Sequence, residues 1–283
     1  MIPSIGHIPA AAAKKFGDKT ALVLPERSLS FNDLEKLSNN FANALVTLGI
    51  QPGDRVTLYS GNCWEWVVSY YGALKTGAVI NPINVMLTPS EVEFVANDCG
   101  ASIVIASHEK ALSLKSVKEN AQVRELIAFG DAVLPVGMLS FNELLAVGSD
   151  AFQIPDIDPN SLSTIGYTSG TTGAPKGAVL SHGNLLENIC QNNSTSDHIK
   201  EGDVVFGVLP MFHIFGLNVV LGMSLMAGAC VVLIQRFDPV TAVETIIERK
   251  ITIVPGAPPV WIAISLMEDV NASAFATVRM ALT

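Results

Sequence analysis

The sequence predicts an α/β fold of layered, mostly parallel sheets with flanking helices. Short apolar runs alternate along the chain with longer segments whose apolar residues recur at helical spacing. The chain is 49% hydrophobic and only 15% charged, whereas ordinary domains contain about 25% charged residues. Much of it is therefore expected to be buried, as parallel strands covered on both faces by helices require.

The first half carries clear helix signals. Ser30 is expected to cap a helix that ends at Gly49, and Thr88 with Glu91 forms a capping box with Pro89 at the first helical position. Ser140 with Glu143 suggests another capping box. The remaining predicted elements here are a helix over Asn62–Thr76 and strands over Arg55–Tyr59, Ala78–Ile80 and Ser102–Ala106.

The second half continues the alternation. Asp238 followed by Pro239 is typical of a helix start. Helices are predicted over Asn184–Gln191, Gly216–Ala227, Asp238–Arg249 and Pro259–Met267, and strands over Leu162–Ile165, Ala178–Leu180, Asp203–Leu209, Cys230–Ile234, Ile251–Val254 and Thr277–Leu282.

One apolar segment is long enough to span a bilayer. Val204–Ile234 contains no Asp, Glu, Lys or Arg. Pro210, His213, Asn218 and several glycines interrupt it, and a strand, loop, helix and strand explain the same pattern. We therefore predict no transmembrane span, and a small membrane protein is the less favoured alternative.

Charge and cysteine usage argue against a nucleic-acid-binding protein, a signal peptide and a cysteine metal site. The net charge is −9 and, apart from Arg249-Lys250, the only adjacent basic pair is Lys14-Lys15, so no nucleic-acid partner is predicted. The short apolar stretch precedes that pair, which is the reverse of a signal peptide. The four cysteines are far apart and lack metal-ligand spacing, so we predict buried thiols in a reduced, cytoplasmic protein: Cys63, Cys99, Cys190 and Cys230.

The segment Tyr167–Gly177 predicts a polyphosphate cradle. It contains three glycines, whose backbone can turn tightly and expose N–H groups, together with four short hydroxyl side chains and Lys176. It differs from the phosphate loop that opens a helix, because Lys176 follows a proline and precedes a glycine. Apolar strands flank the segment, so we place it at the tip of a hairpin. The alternative is a flexible connector.

Four motifs, in order, resemble the adenylate-forming superfamily, which includes acyl-CoA synthetases, luciferases and peptide-synthetase adenylation domains. Tyr167–Gly177 resembles its signature loop, and Leu74–Asn84 with the following Thr88–Glu91 resembles an earlier motif. Pro210–Gly216 is similar to its substrate-site motif, and Val254–Pro259 to a further one.

The resemblance implies how the chain is organised. Members have a large N-terminal domain with two helix-covered sheets and a β-barrel, followed by a small mobile domain. The chain is expected to be the N-terminal part of such an enzyme, with about 1–185 and 186–283 as two intertwined α/β subdomains. It stops inside the apolar pattern Val278–Thr283. By the same resemblance, the family's residues for adenine, ribose and Mg²⁺ and its C-terminal lysine should lie beyond Thr283, so we expect the chain to be inactive alone.

The resemblance also implies a reaction and its reactants. ATP converts a carboxylic acid to an acyl-adenylate, and the acyl group passes to CoA, with Mg²⁺ as the metal. His213 would lie beside the substrate carboxylate, and Lys176 and His213 would be catalytic. Thr168 would also contact Mg²⁺. The phosphate-binding residues would be Thr168, Ser169, Gly170, Thr171, Thr172, Gly173 and Lys176.

The same comparison implies a substrate pocket. From the residues alone, a lone histidine such as His213 in an apolar stretch is more often a hydrogen-bonded core residue. Val254–Pro259 is equally compatible with a rigid loop and with a turn that lines the substrate. No acidic residue lies within Val204–Ile234 to pair a substrate ammonium. A fatty or aromatic monocarboxylate is therefore expected. The pocket residues would be Phe212, His213, Gly216, Leu217, Pro255 and Gly256.

Three alternatives stay open. The acceptor could be a carrier-protein pantetheine, as in fatty acyl-AMP ligases, although Thr171 in the signature loop resembles the CoA ligases. A chain of this length could also be a non-catalytic nucleotide- or acyl-binding module. A homo-oligomer is compatible with the sequence.

Overall fold

The computed structural model describes residues 2–120, 122–130, 133–168, 175–194, 198–268 and 270–283. Two sheets, of seven and six strands, organise the molecule. In the seven-stranded sheet all neighbours are parallel except the last pair, which forms an antiparallel hairpin. Its order is β7 (Leu139–Ser140), β6 (Glu125–Phe129), β5 (Ala101–Ser107), β3 (Arg55–Tyr59), β4 (Val79–Pro82), β8 (Leu162–Thr168) and β9 (Lys176–Ser181).

The six-stranded sheet joins both ends of the chain. Its neighbours are parallel except for the first two strands of the sequence, which pair antiparallel. Residues 20–30 therefore lie in the same sheet as residues 204–282, so the two sheets are interleaved in sequence. The order is β13 (Met280–Leu282), β12 (Ile253–Pro255), β10 (Val204–Gly207), β11 (Cys230–Leu233), β1 (Thr20–Val23) and β2 (Ser28–Ser30).

Helices connect the parallel strands, as the predicted fold class requires. Short 3₁₀ turns lie at Ile5–His7 and Ala272–Phe275, and a π-helical segment lies at Phe215–Met223. The α-helices are α1 (Ile8–Phe16), α2 (Phe31–Thr47), α3 (Trp64–Lys75), α4 (Pro89–Cys99), α5 (His108–Ala111), α6 (Lys115–Asn120), α7 (Phe141–Val147), α8 (His182–Asn193), α9 (Ser224–Ala227), α10 (Pro239–Glu248) and α11 (Pro258–Ser265).

The three predicted helix caps form to different extents. The Thr88–Glu91 box is present, because the Glu91 carboxylate accepts from the Thr88 N–H at 2.7 Å. Ser30 caps α2 in a reciprocal box with Asp33. The Ser140 hydroxyl accepts from the Glu143 N–H at 3.3 Å, and only this half of a box forms there.

Helix α3 lies in the interior. Every residue of α3 except Glu65 is buried, including the predicted core aromatics Trp66, Tyr70 and Tyr71. A helix that is apolar on all sides belongs in a core rather than at a surface. One hydrophobic cluster includes strand residues of both sheets, so the two sheets share a core.

The interior also holds one lysine. Lys75 is 0% exposed, and its Nζ lies 2.6 Å from the Glu35 carboxylate and 2.6 Å from the Asn39 side-chain oxygen. Burial lowers the pKa of Lys75 to about 8, against the opposing charge of Glu35. Lys75 sits in the predicted Leu74–Asn84 motif, and its contacts are those of an interior ion pair.

Two expectations need correction or refinement. Of the four thiols predicted to be buried, Cys63 is buried, Cys99 and Cys230 are half-buried, and Cys190 is exposed on α8, so the prediction is wrong for Cys190 and only partly met by Cys99 and Cys230. The apolar segment Val204–Ile234 folds as β10, a turn, the π-helical segment with α9, and β11. Within the described ranges, no helix has both the length and the apolarity to cross a membrane.

Candidate active site

The predicted phosphate loop begins and ends in a β-hairpin. Strands β8 and β9 pair antiparallel, and Thr168 and Lys176 face each other as the last described residues on the two strands of the ladder. Both are exposed. The hydroxyl and the ammonium thus flank the start of the hairpin tip. The other predicted phosphate-binding residues, Ser169, Gly170, Thr171, Thr172 and Gly173, lie outside the described residues.

Side-chain contacts attach this hairpin to the sheet. The Tyr167 hydroxyl donates a hydrogen bond to the Asp98 carboxylate near the end of α4. Burial, with the adjacent Asp98, raises the pKa of Tyr167 well above its usual range, so the phenol remains a donor. A Cβ atom at Gly177 would lie 2.9 Å from Ile165 Cγ2 and 3.3 Å from Tyr167 Cζ. Glycine at position 177 therefore allows the Tyr167 ring to cross the hairpin.

His213 is exposed, so it is not the core histidine that the residues alone allowed. Its Nδ1 accepts a hydrogen bond from the Phe215 N–H at 3.2 Å. A backbone N–H can only donate, so Nδ1 carries no proton in this arrangement. The neutral imidazole then carries its proton on Nε2, which is a hydrogen-bond donor.

The turn before His213 is attached to the seven-stranded sheet through Asn62. The Asn62 amide donates to the Leu209 carbonyl at 2.9 Å and to the Gly207 carbonyl at 3.2 Å. Its oxygen accepts from the Met211 N–H at 2.9 Å. Asn62 follows β3 and is buried, so it holds the His213 turn against the end of β3. The sequence placed Asn62 at a helix start and gave no sign of this role.

Among the predicted pocket residues, Gly216 and Leu217 face the interior. Leu217 is 2% exposed and belongs to the shared core. A Cβ atom at Gly216 would overlap the Pro210 carbonyl oxygen and lie 2.7 Å from its carbonyl carbon. Gly216 therefore permits the close approach of the π-helical segment to the turn, and Phe212 is half-buried beside it.

A cavity of about 470 Å³ is lined by Ile214 and Phe215, which directly follow His213, but by none of the predicted pocket residues themselves. The end of β9, helix α8 and the start of the π-helical segment form its wall. A polar pair lies in its wall, where the Asn218 amide donates to the Asn188 side-chain oxygen at 2.8 Å. The lining residues are Leu180, Asn184, Leu185, Asn188, Ile214, Phe215, Asn218 and Val219.

A second cavity of about 190 Å³ shares Phe215 and Val219 with the first. It continues past Met223 to Met280 and Leu282 of β13. Phe215, Val219 and Met223 recur every four residues, and this spacing is the sequence signal that could have identified the lining. The sequence analysis instead predicted Leu217 as a pocket residue. It did not identify this lining, because a single motif does not show which face of the helix turns inward.

Pro255 and Gly256 lie at the same edge of the sheet as the His213 turn, because β12 runs parallel to β10. The Gly256 N–H donates to the Leu282 carbonyl at 2.8 Å, and the Gly256 carbonyl accepts from Trp261 Nε1 at 2.9 Å. Both predicted residues are buried. These contacts give the turn a fixed shape beside the second cavity.

The exposed Thr168 hydroxyl and Lys176 ammonium fit a polyphosphate with its metal ion, since phosphate oxygens prefer such donors and Mg²⁺ prefers oxygen ligands. Two helix-covered parallel sheets with this hairpin and an exposed imidazole define an AMP-binding class of α/β domain. The sequence profile described as "AMP-binding enzyme" matches residues 9–283. The chain belongs to the AMP-binding enzyme family.

The relatives are CoA ligases. A long-chain-fatty-acid–CoA ligase of Bacillus subtilis (strain 168) is 32% identical over 279 residues, covering 89% of this chain and 50% of the relative. The 4-coumarate–CoA ligase 1 of Solanum tuberosum is 34% identical over 261 residues, covering 89% of this chain and 47% of the relative. The chain thus spans about half the length of the curated relatives it matches.

Solved structures agree with the fold. The anthranilate CoA ligase AuaEII in complex with anthranoyl-AMP superposes with a TM-score of 0.91 at 27% identity, covering 98% of this chain and 54% of that one. ATP-bound MatB from Rhodopseudomonas palustris superposes with a TM-score of 0.86 at 26% identity, with coverages of 98% and 54%. The predicted α/β fold class and the resemblance to acyl- and aryl-CoA ligases are therefore confirmed.

Proposed function

We propose that the protein containing this chain activates a fatty or aromatic carboxylic acid with ATP and transfers the acyl group to CoA. One observation carries the proposal. The exposed His213, held with Nε2 as donor by the Phe215 N–H, directly precedes Ile214 and Phe215, which line a largely apolar cavity. An acid in this cavity could then present its carboxylate to a hydrogen-bond donor, while the proposed phosphate site at Lys176 lies at the other end of β9 from the cavity residue Leu180.

The residues support a division of roles in this reaction. A carboxylate oxygen attacks the α-phosphorus of ATP, the bond to the bridging oxygen breaks, and pyrophosphate leaves. Such a displacement depends on positioning and charge neutralisation more than on a protein nucleophile. Lys176 would neutralise phosphate charge, and Nε2–H of His213 would orient the carboxylate by donating to one oxygen. An Mg²⁺ ion held near Thr168 would supply further neutralisation.

The thioester step uses the same imidazole. The CoA thiolate attacks the carbonyl carbon of the acyl-adenylate, the bond to the phosphate oxygen breaks, and AMP leaves. The donor at Nε2 would stabilise the negative charge that develops on the carbonyl oxygen. ATP, CoA, the acid and Mg²⁺ are thus the proposed reactants and metal.

The cavity lining supports an uncharged acyl group. Ile214, Phe215 and Val219 are apolar, and among the described residues no Asp, Glu, Lys or Arg lines either cavity. A charged group would lose its hydration there without a partner. An aliphatic or aromatic monocarboxylate is the substrate class that this lining favours.

We expect Lys176→Ala to weaken ATP binding about tenfold to hundredfold, because a charge-assisted hydrogen bond to phosphate is lost. Calorimetric titration of MgATP into the chain measures this. Lys36→Ala, at an exposed position on α2, is the matched control and should bind like the wild type. Equal affinity of the Lys176 variant and the control would contradict the assignment of the phosphate site.

Carboxylate-dependent exchange of pyrophosphate into ATP tests the reaction in the natural protein that carries this chain. Exchange with a fatty or aromatic acid, followed by thioester formation with CoA, is the expected result. Saturable ATP binding with no exchange across a broad acid panel would favour a non-catalytic binding module. Acyl transfer to a carrier protein but not to CoA would favour the acyl-AMP ligase alternative.

We expect Val219→Phe to exclude large acids, because Val219 lines both cavities and a ring there fills their junction. The ratio of kcat/KM for octanoate over that for acetate should fall about tenfold, as steric exclusion of several methylenes implies. Val240→Phe, at an exposed position on α10, is the control. An unchanged ratio in the Val219 variant would place the acyl group elsewhere.

A further inference from the structure

The proposed site draws on both sheets. Thr168 and Lys176 lie at the end of β8 and the start of β9 in the seven-stranded sheet, whereas the turn that carries His213 follows β10 of the six-stranded sheet. A carboxylate that reacts with ATP needs both parts in place, and a misplacement of about 1 Å can lower a rate about hundredfold. A contact that fixes the two sheets relative to each other at this place would therefore affect the reaction.

Asn62 lies at the edge of the seven-stranded sheet from which the phosphate hairpin extends. Strands β3, β4 and β8 run parallel, so their carboxyl ends share one edge of the sheet. Strand β3 ends at Tyr59, shortly before Asn62, and β8 ends at Thr168. From this edge the Asn62 side chain bonds to the end of β10 and to the turn that follows it. Asn62 thus connects the carboxyl edges of the two sheets.

The Asn62 amide bonds backbone groups on both sides of Pro210. The Leu209 carbonyl accepts from Nδ2 at 2.9 Å, and the Met211 N–H donates to Oδ1 at 2.9 Å. Since a carbonyl can only accept and a backbone N–H can only donate, the side chain here has to both donate and accept. Leu209 and Met211 are buried, so these backbone groups would lose their partners without gaining water.

Local hydrogen bonds continue from Pro210 to the imidazole. The Pro210 carbonyl accepts from the His213 N–H at 3.1 Å, and the His213 carbonyl accepts from the Leu217 N–H at 2.9 Å. The Phe215 N–H then donates to Nδ1 of the His213 ring. The position of the imidazole therefore follows that of Pro210, and Asn62 holds both neighbours of Pro210.

We propose that Asn62 is a positioning residue, which holds the His213 turn of one sheet in place against the sheet that carries the phosphate hairpin. It acts through His213 and does not itself contact the substrate. Its expected effect on the rate rests on the proposed function, whereas the positioning of the imidazole is a property of the chain itself. Loss of Asn62 should slow the carboxylate reaction and leave ATP binding at Lys176 in place.

Two variants of Asn62 and one control test the proposal. Asn62→Asp keeps the size of the side chain and replaces the donating amide by a second acceptor, and Asn62→Ala removes all three bonds. Asn43→Asp is the matched control, because the Asn43 amide also donates to three backbone carbonyls and lines neither cavity. The circular dichroism spectrum and Tm of each variant are recorded alongside. The partners of Asn43 are Asn39, Ser149 and Ala151, at 3.0, 3.0 and 2.9 Å.

The first readout is carboxylate-dependent pyrophosphate exchange in the natural protein that carries this chain. Asn62→Asp should lower kcat about tenfold to hundredfold, while the KM for ATP changes by less than about threefold. Asn43→Asp should lower Tm and leave kcat unchanged, because it loses bonds of the same kind away from His213. A folded Asn62 variant with lowered Tm and wild-type kcat would have a merely structural asparagine, and this result overturns the proposal.

The second readout does not depend on the reaction. Long-range ¹H–¹⁵N NMR of the histidine-labelled chain reports which ring nitrogen of His213 carries the proton, and His213→Asn assigns the signal. Wild type and Asn43→Asp should show the proton on Nε2, whereas the Asn62 variants should show shifts toward a mixture of tautomers. Unchanged His213 shifts in both Asn62 variants overturn the positioning role. Altered shifts without exchange in the wild-type natural protein support the positioning and contradict the proposed function.

Hydrogen exchange of the wild type decides the matter if neither Asn62 variant folds. The Met211 amide should then be protected to about the same degree as the amides of β10, because its N–H is bonded to a side chain held at the end of β3. Exchange of the Met211 amide at the rate of an open loop would show that Asn62 does not hold the turn, and would overturn the proposal.

Discussion

The substitution Gly216→Ala is expected to destabilise the protein by about 3 kcal/mol or more and to abolish substrate binding, because the added Cβ would clash with backbone atoms. It would overlap the Pro210 carbonyl oxygen and lie 2.7 Å from Pro210 C and 3.0 Å from the Leu209 oxygen. All of these are backbone atoms of the turn that carries His213, so relief requires moving the turn itself. Urea unfolding and carboxylate binding measure both effects.

Gly166→Ala is the matched control for this prediction. Gly166 lies in β8, and a Cβ atom there would meet nothing within 4 Å. The Gly166→Ala variant is expected to be as stable as the wild type or slightly more stable, because alanine loses less backbone entropy than glycine when it folds into a strand. Equal unfolding free energies for the two variants would show that the turn yields without strain, contrary to its geometry.

Acidification from pH 6.5 to 4 is expected to remove about 3 kcal/mol of stability through His182 alone. His182 is 0% exposed, and its Nδ1 accepts from the Ile5 N–H at 3.3 Å. Burial, with a contribution from His7, lowers its pKa from 6.5 to about 4. The unfolded chain therefore binds a proton in this window while the folded protein does not, and the unfolding free energy falls as the pH falls.

His182→Asn tests the assignment, because the asparagine oxygen can accept the same backbone hydrogen bond without titrating. The difference in unfolding free energy between wild type and variant should change by about 3 kcal/mol between pH 6.5 and 4 and stay constant above that window. His7→Asn should reduce the pH dependence only in part. If the unfolding free energies of wild type and His182→Asn changed with pH in the same way, this would contradict a neutral, buried imidazole at His182.

Local patterns in the sequence were enough for the fold class and for most elements. The capping box at Thr88 and Glu91, the strands on both sides of the phosphate loop and the buried aromatics of α3 each follow from residues a few positions apart. Those interactions form within one helix, one turn or one hairpin. The order of four motifs was likewise enough to predict the family.

The positions of helix ends and the winding of the π-helical segment were less predictable. The sequence predicted an ordinary helix over Gly216–Ala227, whereas the chain forms a π-helical segment over Phe215–Met223 and only then α9. The close approach of Gly216 to Pro210 is a contact between the segment and the turn before it. Helical periodicity alone does not include such a contact.

The tertiary structure decided which side chains face a site. His213 stands in an apolar stretch that suits a core as well as a pocket. In the folded protein it is exposed, on a turn that hydrogen bonds to Asn62 hold in place. Leu217 turns inward while Phe215 and Val219 line the cavities. Likewise Cys190 is exposed, although nothing in its neighbours distinguishes it from the buried Cys63.

By itself, then, the sequence determined the alternation of helices and parallel strands, the hairpin on either side of the predicted phosphate loop and the membership of the AMP-binding enzyme family. The tertiary structure decided that β1 and β2 join the sheet of β10–β13, and which residues line the two cavities. The reason is physical: periodicity and capping depend on near neighbours, whereas exposure and cavity walls depend on contacts between segments that are distant in the chain.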